Sequence, residues 1–324
     1  MMLILSGFLL GYTGAWLVMR YGDRLGTIDI PGHRSSHHKK IPKGAGLGIL
    51  AALVLYGVIL QIPVFIWFPA LVISLASFWG ADKYILPASQ RLVIHFGCSL
   101  FFLGFFLNAE QAGAATFVFW LPATVFIVGT ANFYNFMDGI DGIAGITGFL
   151  AFLLTAFYAG LSGNAQSVIF LCMVLAFACL GFLCFNIPRA KVFLGDVGSI
   201  LLGFVFACLI IVLSENLVDF LVMAGFLAPF YFDAIFTMAV RIRNKDSLTE
   251  PHRKHIYQIL ANEAGIGHWK VSLGYGVMQL VIGVSVMLLQ PKGWIFLLGT
   301  YFFYGIIFGS FSIFIRRKFC FNEN

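Results

Sequence analysis

Eleven apolar runs, most of them long enough to cross a bilayer as a helix, take up most of this chain. They cover residues 2–19, 45–62, 63–80, 92–107, 114–131, 143–161, 167–185, 200–213, 217–240, 271–289 and 294–315. A crossing needs roughly 17–25 residues, and inside hydrocarbon a helix is the one local structure that satisfies its own backbone. The runs at 92–107 and 200–213 are short, which leaves their ends open by several residues. Gln61 and Pro63 mark a tight turn between the second and third runs. Charged residues make up 10% of the 324 and apolar ones 60%, too little polar surface to cover a soluble globule. The expected fold is therefore an all-α polytopic membrane protein of about eleven transmembrane helices. No hydrophilic stretch is long enough for a separate soluble domain, so residues 1–324 read as one integral-membrane domain.

The basic residues set the orientation. The first loop holds Arg20, Arg24, Arg34, Lys39, Lys40 and Lys43, and the loop after the third run holds Lys83 and Arg91. Arg189 and Lys191 follow the seventh run; Arg241, Arg243, Lys245, Arg253, Lys254 and Lys270 follow the ninth; Arg316, Arg317 and Lys318 close the chain. With eleven spans all of these fall on one side, and Lys292 alone falls on the other. The positive-inside rule then puts the N-terminus outside and the C-terminus in the cytoplasm. The first run has no basic segment before it and no small-residue cleavage pattern, so it reads as a retained span and not a signal peptide. The net charge of +6 is spread over the loops, where it suits anionic lipid headgroups. Without a soluble basic domain, no nucleic-acid partner is expected. Cys98, Cys172, Cys179, Cys184 and Cys208 lie in apolar runs and Cys320 in the tail; none forms a CxxC pair, and they read as small packing residues.

Polar groups near hydrocarbon are costly, and here they cluster. Asn132, Asn135, Asp138 and Asp141 stand three apart, interleaved with Gly139 and Gly142. On a helix Asn132 and Asn135 share a face. A capped helix end would explain one of these groups but not four. Asp196, flanked by Gly195 and Gly198 at the start of the eighth run, is either an N-cap or part of a phosphate-approaching helix start. Asn186 adds an amide on the same side. In the longest loop His252, Arg253, Lys254 and His255 could clamp a diphosphate, form half of a zinc site that nothing completes, or be a solvated basic loop. Asp233 is an acid inside the ninth run, either functional or paired with a neighbouring helix. The glycines at 44, 46 and 48 do not make a dinucleotide fingerprint, since no strand precedes them, and suit close helix packing, as do Gly7 and Gly11.

Taken in order, these segments resemble the polyprenyl-phosphate N-acetylhexosamine-1-phosphate transferases, the superfamily that includes the phospho-MurNAc-pentapeptide translocase. The resemblance rests on RSSH at 34–37, NxxNxxDGxDG at 132–142, GFLxxN…FxGDxGS at 181–199 and HRxHxYQ at 252–258, and it covers essentially the whole chain. The last element is similar to the branch that starts bacterial surface polysaccharides. The resemblance implies a bacterial inner-membrane enzyme with its active site on the cytoplasmic face. It would use undecaprenyl phosphate and a UDP-N-acetylhexosamine as substrates, with Mg²⁺ (or Mn²⁺) as cofactor, in contact with membrane lipids; a homodimer is left open. It implies Asp196 and Asp138 at the metal, Asp82, Asp138, Asp141 and Asp196 as the catalytic carboxylates, and substrate contacts from Arg34, Ser35, His37, Lys83, Asn132, Asn135, Asn186, Asp233, His252, Arg253 and His255.

One departure stands out. The family carries two adjacent acids nine residues before an Arg; here the register from Asp82 to Arg91 fits, but the first acid is Ala81. A methyl group can neither deprotonate nor orient a lipid phosphate, so a weakened or inactive enzyme, or an engineered variant, is one reading and a shifted motif the other. The rival classes are a transporter, a non-catalytic scaffold and a CDP-alcohol phosphotransferase. A transporter would place its polar groups at mid-membrane, and the spacing of the CDP-alcohol enzymes is missing.

Overall fold

The computed structural model describes residues 2–31, 36, 39–83, 87–109, 117–247 and 252–319, excluding the side chains of 81–83, 88, 109 and 117. The chain is a bundle of helices: α1 (Met2–Leu25), α2 (Gly46–Ile59), α3 (Val64–Ser77), α4 (Ala88–Ala109), α5 (Phe117–Phe136), α6 (Ile143–Leu161), α7 (Gln166–Leu183), α8 (Asp196–Leu213), α9 (Leu217–Ala224), α10 (Ala228–Arg243), the single turn α11 (Ile256–Gln258), α12 (His268–Leu289) and α13 (Trp294–Phe319). Among the described residues eight helical segments are long and apolar enough to cross a membrane, with Gly46–Ile59 and Val64–Gly80 as shorter apolar helices. The fold is thus that of an all-α polytopic membrane protein.

Several helix limits differ from those read off hydropathy. α4 and α8 extend their short runs to 22 and 18 residues. α1 continues past Met19 to Leu25. The run at 217–240 is broken by a 3₁₀ turn, Gly225–Leu227, before α10. Pro229 at the start of α10 lacks the N–H that would bond the Gly225 carbonyl, so a uniform α-helix cannot pass this point. α3 ends in a π-helical turn, Phe78–Lys83, which carries the backbone of Ala81 and Asp82.

α8 is the axis of the bundle. From Val197 to Ile210 every residue is buried, which is possible for a helix apolar all round when neighbours cover every side. α2, α3, α5 and α6 pack against it. α1 buries Gly7, Gly11, Ala15, Val18 and Gly22, a stripe of small residues that admits α7 and α2 at close range. A Cβ on Gly11 would strike the Ala178 carbonyl. The opposite face of α1 exposes Leu5, Leu9, Trp16 and Leu17, and α13 exposes Phe302, Phe303, Ile306 and Ile307. Apolar surface of that extent is stable against hydrocarbon and not against water.

Between α1 and α2 the chain forms a two-residue antiparallel ribbon, β1 (Ile28–Asp29) with β2 (Ile41–Pro42), which hydropathy does not reveal. Its exit is fastened to the segment before α8: Phe193 N–H donates to the Pro42 carbonyl (2.8 Å), Gly44 and Ala45 N–H to that of Phe193, and Gly46 N–H to that of Leu194 (2.9 Å). Gly46 meets Gly198 here, and a Cβ at Gly46 would fall on the Gly198 backbone. Gly46→Ala is therefore expected to destabilise the chain by about 1–3 kcal/mol through overpacking against backbone that cannot yield. Gly97→Ala, whose Cβ meets nothing within 4 Å, is expected to be neutral or better. Thermal unfolding of both variants in detergent checks this; equal melting temperatures would contradict the contact.

Candidate active site

The polar groups singled out by the sequence gather at one end of the bundle, because the helix termini that carry them are tied to one another. α5 ends just beyond Asn135, whose Nδ2 donates to Ser199 Oγ on the first turn of α8 (2.8 Å). One turn back, Asn132 Nδ2 donates to the Val128 carbonyl (2.7 Å) and to His95 Nδ1 on α4 (3.2 Å). The two amides thus share a face, as their spacing requires, but spend it on neighbouring helices. Asp138 lies three residues past Asn135 and Asp196 three before Ser199, so the Asn135–Ser199 bond suspends both acids from one junction. Both are partly exposed.

Asp196 is the first residue of α8, and the capping position belongs to Gly195 at φ 77°, so the N-cap reading of Asp196 is corrected. Its carboxylate pairs with Arg91 Nη1 from the first turn of α4 at 2.8 Å, with the two side chains 27% and 33% exposed. An ion pair this open to solvent is worth little and can be exchanged for another partner.

After Asp138 the chain reverses through Gly142, at φ 89°, into α6. Asn186 holds this turn: its Oδ1 accepts from Gly142 N–H (2.6 Å) and its Nδ2 donates to the Val192 carbonyl (2.9 Å). At 5% exposure it sits behind the turn, with both its amide oxygen and its amide nitrogen bonded within the chain. Asp141 faces α12. Its Oδ2 lies 3.3 Å from His268 Nδ1, and Ser272 Oγ donates to its carbonyl (2.8 Å).

Asp233 differs most from expectation. It is wholly buried, and its carboxylate accepts from His255 Nδ1 (3.2 Å), Ile256 N–H (3.0 Å), Tyr257 N–H (3.2 Å), the Tyr275 hydroxyl (2.6 Å) and the Thr237 hydroxyl (3.0 Å). A carboxylate so enclosed is the anchor of the loop at 252–257. His255 is likewise buried, its ring stacked between those of His252 (4.9 Å) and Tyr257 (5.7 Å). Tyr257 closes the circuit: its hydroxyl donates to the Phe136 carbonyl (2.9 Å), beside the turn that carries Asp138. Gly139 lies against that hydroxyl so tightly that no Cβ would fit.

Burial first, then the fields of His255, Arg241 and Lys254, pushes the His252 imidazole down to about 4. Its Nδ1 accepts from Lys254 N–H (3.2 Å), leaving Nε2 to carry the proton of the neutral ring. The neutral His252 ring thus brings no charge of its own to an anion, and Lys254 Nζ is paired to Asp246 at 2.6 Å. The expected residues Arg34, Ser35 and His37 lie outside the described residues; for Asp82 and Lys83 the backbone alone is described. Among the described residues no group of three or more His, Cys, Asp or Glu is placed to hold a metal.

His95, Tyr275 and His268 were not singled out in the residue order, Ser199 entered only as the end of the motif at 181–199, and Arg91 only by its register and its place among the basic loop residues. A signal existed for two of them. His95 and His268 are the two histidines outside the loop clusters at 33–38 and 252–255, one inside an apolar run and one at the edge of another.

Fold and site define a polytopic α-helical membrane protein with carboxylates and cations collected at one end of an otherwise apolar bundle. Residues 63–214 match the family described as Glycosyl transferase family 4. Over 294 residues the chain is 29% identical to the probable undecaprenyl-phosphate N-acetylglucosaminyl 1-phosphate transferase of Bacillus subtilis (strain 168), covering 85% of this chain and 80% of that one. It is 32% identical over 192 residues to a phospho-N-acetylmuramoyl-pentapeptide-transferase of Staphylococcus saprophyticus, covering 58% of each. A 115-residue stretch is 35% identical to the undecaprenyl-phosphate alpha-N-acetylglucosaminyl 1-phosphate transferase of Thermotoga maritima, 34% of this chain and 38% of the relative. The chain is thus similar to polyprenyl-phosphate hexosamine-1-phosphate transferases, in agreement with its motifs.

The depressed His252 gives a pH dependence with a defined sign. Between 4 and 6.5 the unfolded chain binds the proton that folded His252 refuses, so stability falls as pH drops through that window and is unaffected above it. His252→Gln is expected to lose less melting temperature than the parent between those limits. Parallel melting curves over the same range would show that another group titrates.

Proposed function

We propose that this protein transfers N-acetylhexosamine-1-phosphate from a UDP-sugar to undecaprenyl phosphate, releasing UMP and forming undecaprenyl-diphospho-N-acetylhexosamine. The observation that carries the reading is the pairing of Arg91 with Asp196, of His268 with Asp141 and of Asn135 with Ser199 where the helices that carry these residues begin or end, on a bundle otherwise clothed in apolar side chains. A lipid phosphate reaches such a bundle from the membrane and a nucleotide-sugar from water, so the phosphates can meet only where the bundle ends.

In the transfer, an oxygen of the lipid phosphate attacks the phosphorus attached to the sugar, and the bond from that phosphorus to the UMP oxygen breaks. Such a reaction demands charge neutralisation and alignment more than covalent chemistry from the protein. Arg253 and Arg91 are suited to the anionic oxygens, and Asp82 to orienting the lipid phosphate. A site of one or two carboxylates fits Mg²⁺, or Mn²⁺, which commonly takes a few protein ligands and completes its shell with phosphate oxygens and water. Asp196, open enough to exchange Arg91 for another partner, and Asp138 would hold that ion, which when bound would neutralise the diphosphate. Asn132, Asn135 and Asn186 keep the helix ends in place. The side holding these groups is taken as cytoplasmic, in a bacterial inner membrane crossed about eleven times, with the N-terminus outside. The step would start O-antigen or a related surface polysaccharide.

Ala81 favours a second reading, a weakened enzyme or a non-catalytic relative, since one member of an acid pair is missing. One experiment separates the two. The purified chain and Ala81→Asp are incubated with undecaprenyl phosphate, Mg²⁺ and labelled UDP-N-acetylhexosamines. Turnover by either supports the transferase, and turnover only by Ala81→Asp marks the natural chain as disabled. Silence from both, without UDP-sugar binding, rejects the proposal. In whichever background turns over, Asp196→Asn is expected to lower kcat on the order of a hundredfold, the scale of losing one charge-stabilising group. Full activity would remove Asp196 from the metal site.

A further inference from the structure

Arg316, in the last turn of the C-terminal helix α13, has a place in the basic tail that topology alone explains. The structure uses it differently. It is only 9% exposed, and its guanidinium runs back into the bundle, with Nε donating to Ser312 Oγ (3.2 Å) and Nη2 to Thr237 Oγ1 (2.9 Å). Thr237 is wholly buried on α10, and its hydroxyl donates to Asp233 Oδ1 at 3.0 Å. One hydroxyl can accept from the arginine and donate to the carboxylate at once, so the three side chains form a directed relay. At its far end Asp233 holds the backbone N–H groups of Ile256 and Tyr257, and Tyr257 reaches the Phe136 carbonyl beside Asp138.

We propose that Arg316 is a positioning residue for the active site: acting through Thr237, it holds Asp233 in the geometry that fixes the 252–257 loop over the Asp138 turn. The physical reason is the cost of an uncompensated charge. Asp233 is an anion away from water, and the relay brings a guanidinium to it across a single hydroxyl. Without that charge the carboxylate gains by protonation or by turning away, and either change loosens its hold on the two N–H groups. The C-terminal helix thereby becomes part of the site's scaffold although none of its side chains touches a reacting atom. The structural half of this inference stands on the bonds above; its consequence for turnover rests on the transferase reading.

The test uses the full chain in detergent, with Arg316→Met, Arg316→Lys, the near-isosteric Thr237→Val and the double variant Arg316→Met/Thr237→Val. Hydrogen exchange is followed in the peptide covering 252–263. Exchange there is expected to speed up by about tenfold in Arg316→Met and in Thr237→Val, since each removes a charge-assisted bond from the anchor. The double variant should exchange no faster than either single one, and Arg316→Lys should recover most of the protection. Peptides of α6 and α7 should be unchanged. Parent-like exchange in Arg316→Met, or a double variant equal to the sum of the singles, would overturn the relay. If Arg316→Met does not fold, Thr237→Val decides alone, and parent-like protection in it overturns the relay. None of these measurements needs turnover, so they can fail separately from the transferase reading. In an active background, the KM for the UDP-sugar should rise about tenfold in Arg316→Met with that for the lipid phosphate unchanged, and Arg316→Lys should restore it. Faster exchange with an unchanged KM would leave the relay a folding contact and overturn its part in the reaction.

Discussion

Backbone polar groups cannot be left unpaired in hydrocarbon, and the architecture of this protein follows from that requirement. Helices satisfy their own N–H and C=O groups except in the first and last turns, so the free backbone valences and the charged side chains alike are driven to the ends. Much of the irregular backbone lies at such ends: the π turn at Phe78–Lys83, the Gly142 reversal, the Gly195–Asp196 helix start and the loop before α11.

Helix ends alone would splay, and short cross-connections hold these together. Asn135 to Ser199, Asn186 to Gly142 and Val192, Ser272 to Asp141, and Tyr257 to Phe136 each join a carrier of a candidate residue to a different helix. The glycine contacts have the complementary role. Where Gly46 meets Gly198 and Gly139 meets the Tyr257 hydroxyl, missing side chains let the backbone close in, so the polar bonds can be short. The buried Asp233 draws the most partners because an isolated anion there would be intolerable, and a fully paired one organises everything that donates to it.

Much of this was legible in the residue order. Length and apolar content marked the helices, and the threefold spacing of Asn132, Asn135, Asp138 and Asp141 marked a functional segment, since local geometry sets both. Roles were harder to read. Asn186 and Asp233 were expected at the substrate, and both prove buried and occupied with holding loops in place. A polar residue in an apolar run announces that it needs a partner, but not whether that partner is a ligand or another part of the chain. The 3₁₀ break at Gly225–Leu227 and the two-residue ribbon escaped hydropathy because neither changes the apolar average over a window of membrane length.

Periodicity and composition, which are local properties, settled that the chain is a helical membrane protein, and the order of its motifs carried its likeness to the polyprenyl-phosphate hexosamine-1-phosphate transferases. They also settled which segments carry its acids. Pairings between residues far apart belonged to the tertiary structure alone: Arg91 with Asp196, His268 with Asp141, and Arg316 with Asp233 by way of Thr237. Each joins residues from different elements, and which partner a buried or half-buried charge takes depends on where packing brings the helices. No spacing along the chain encodes that distance.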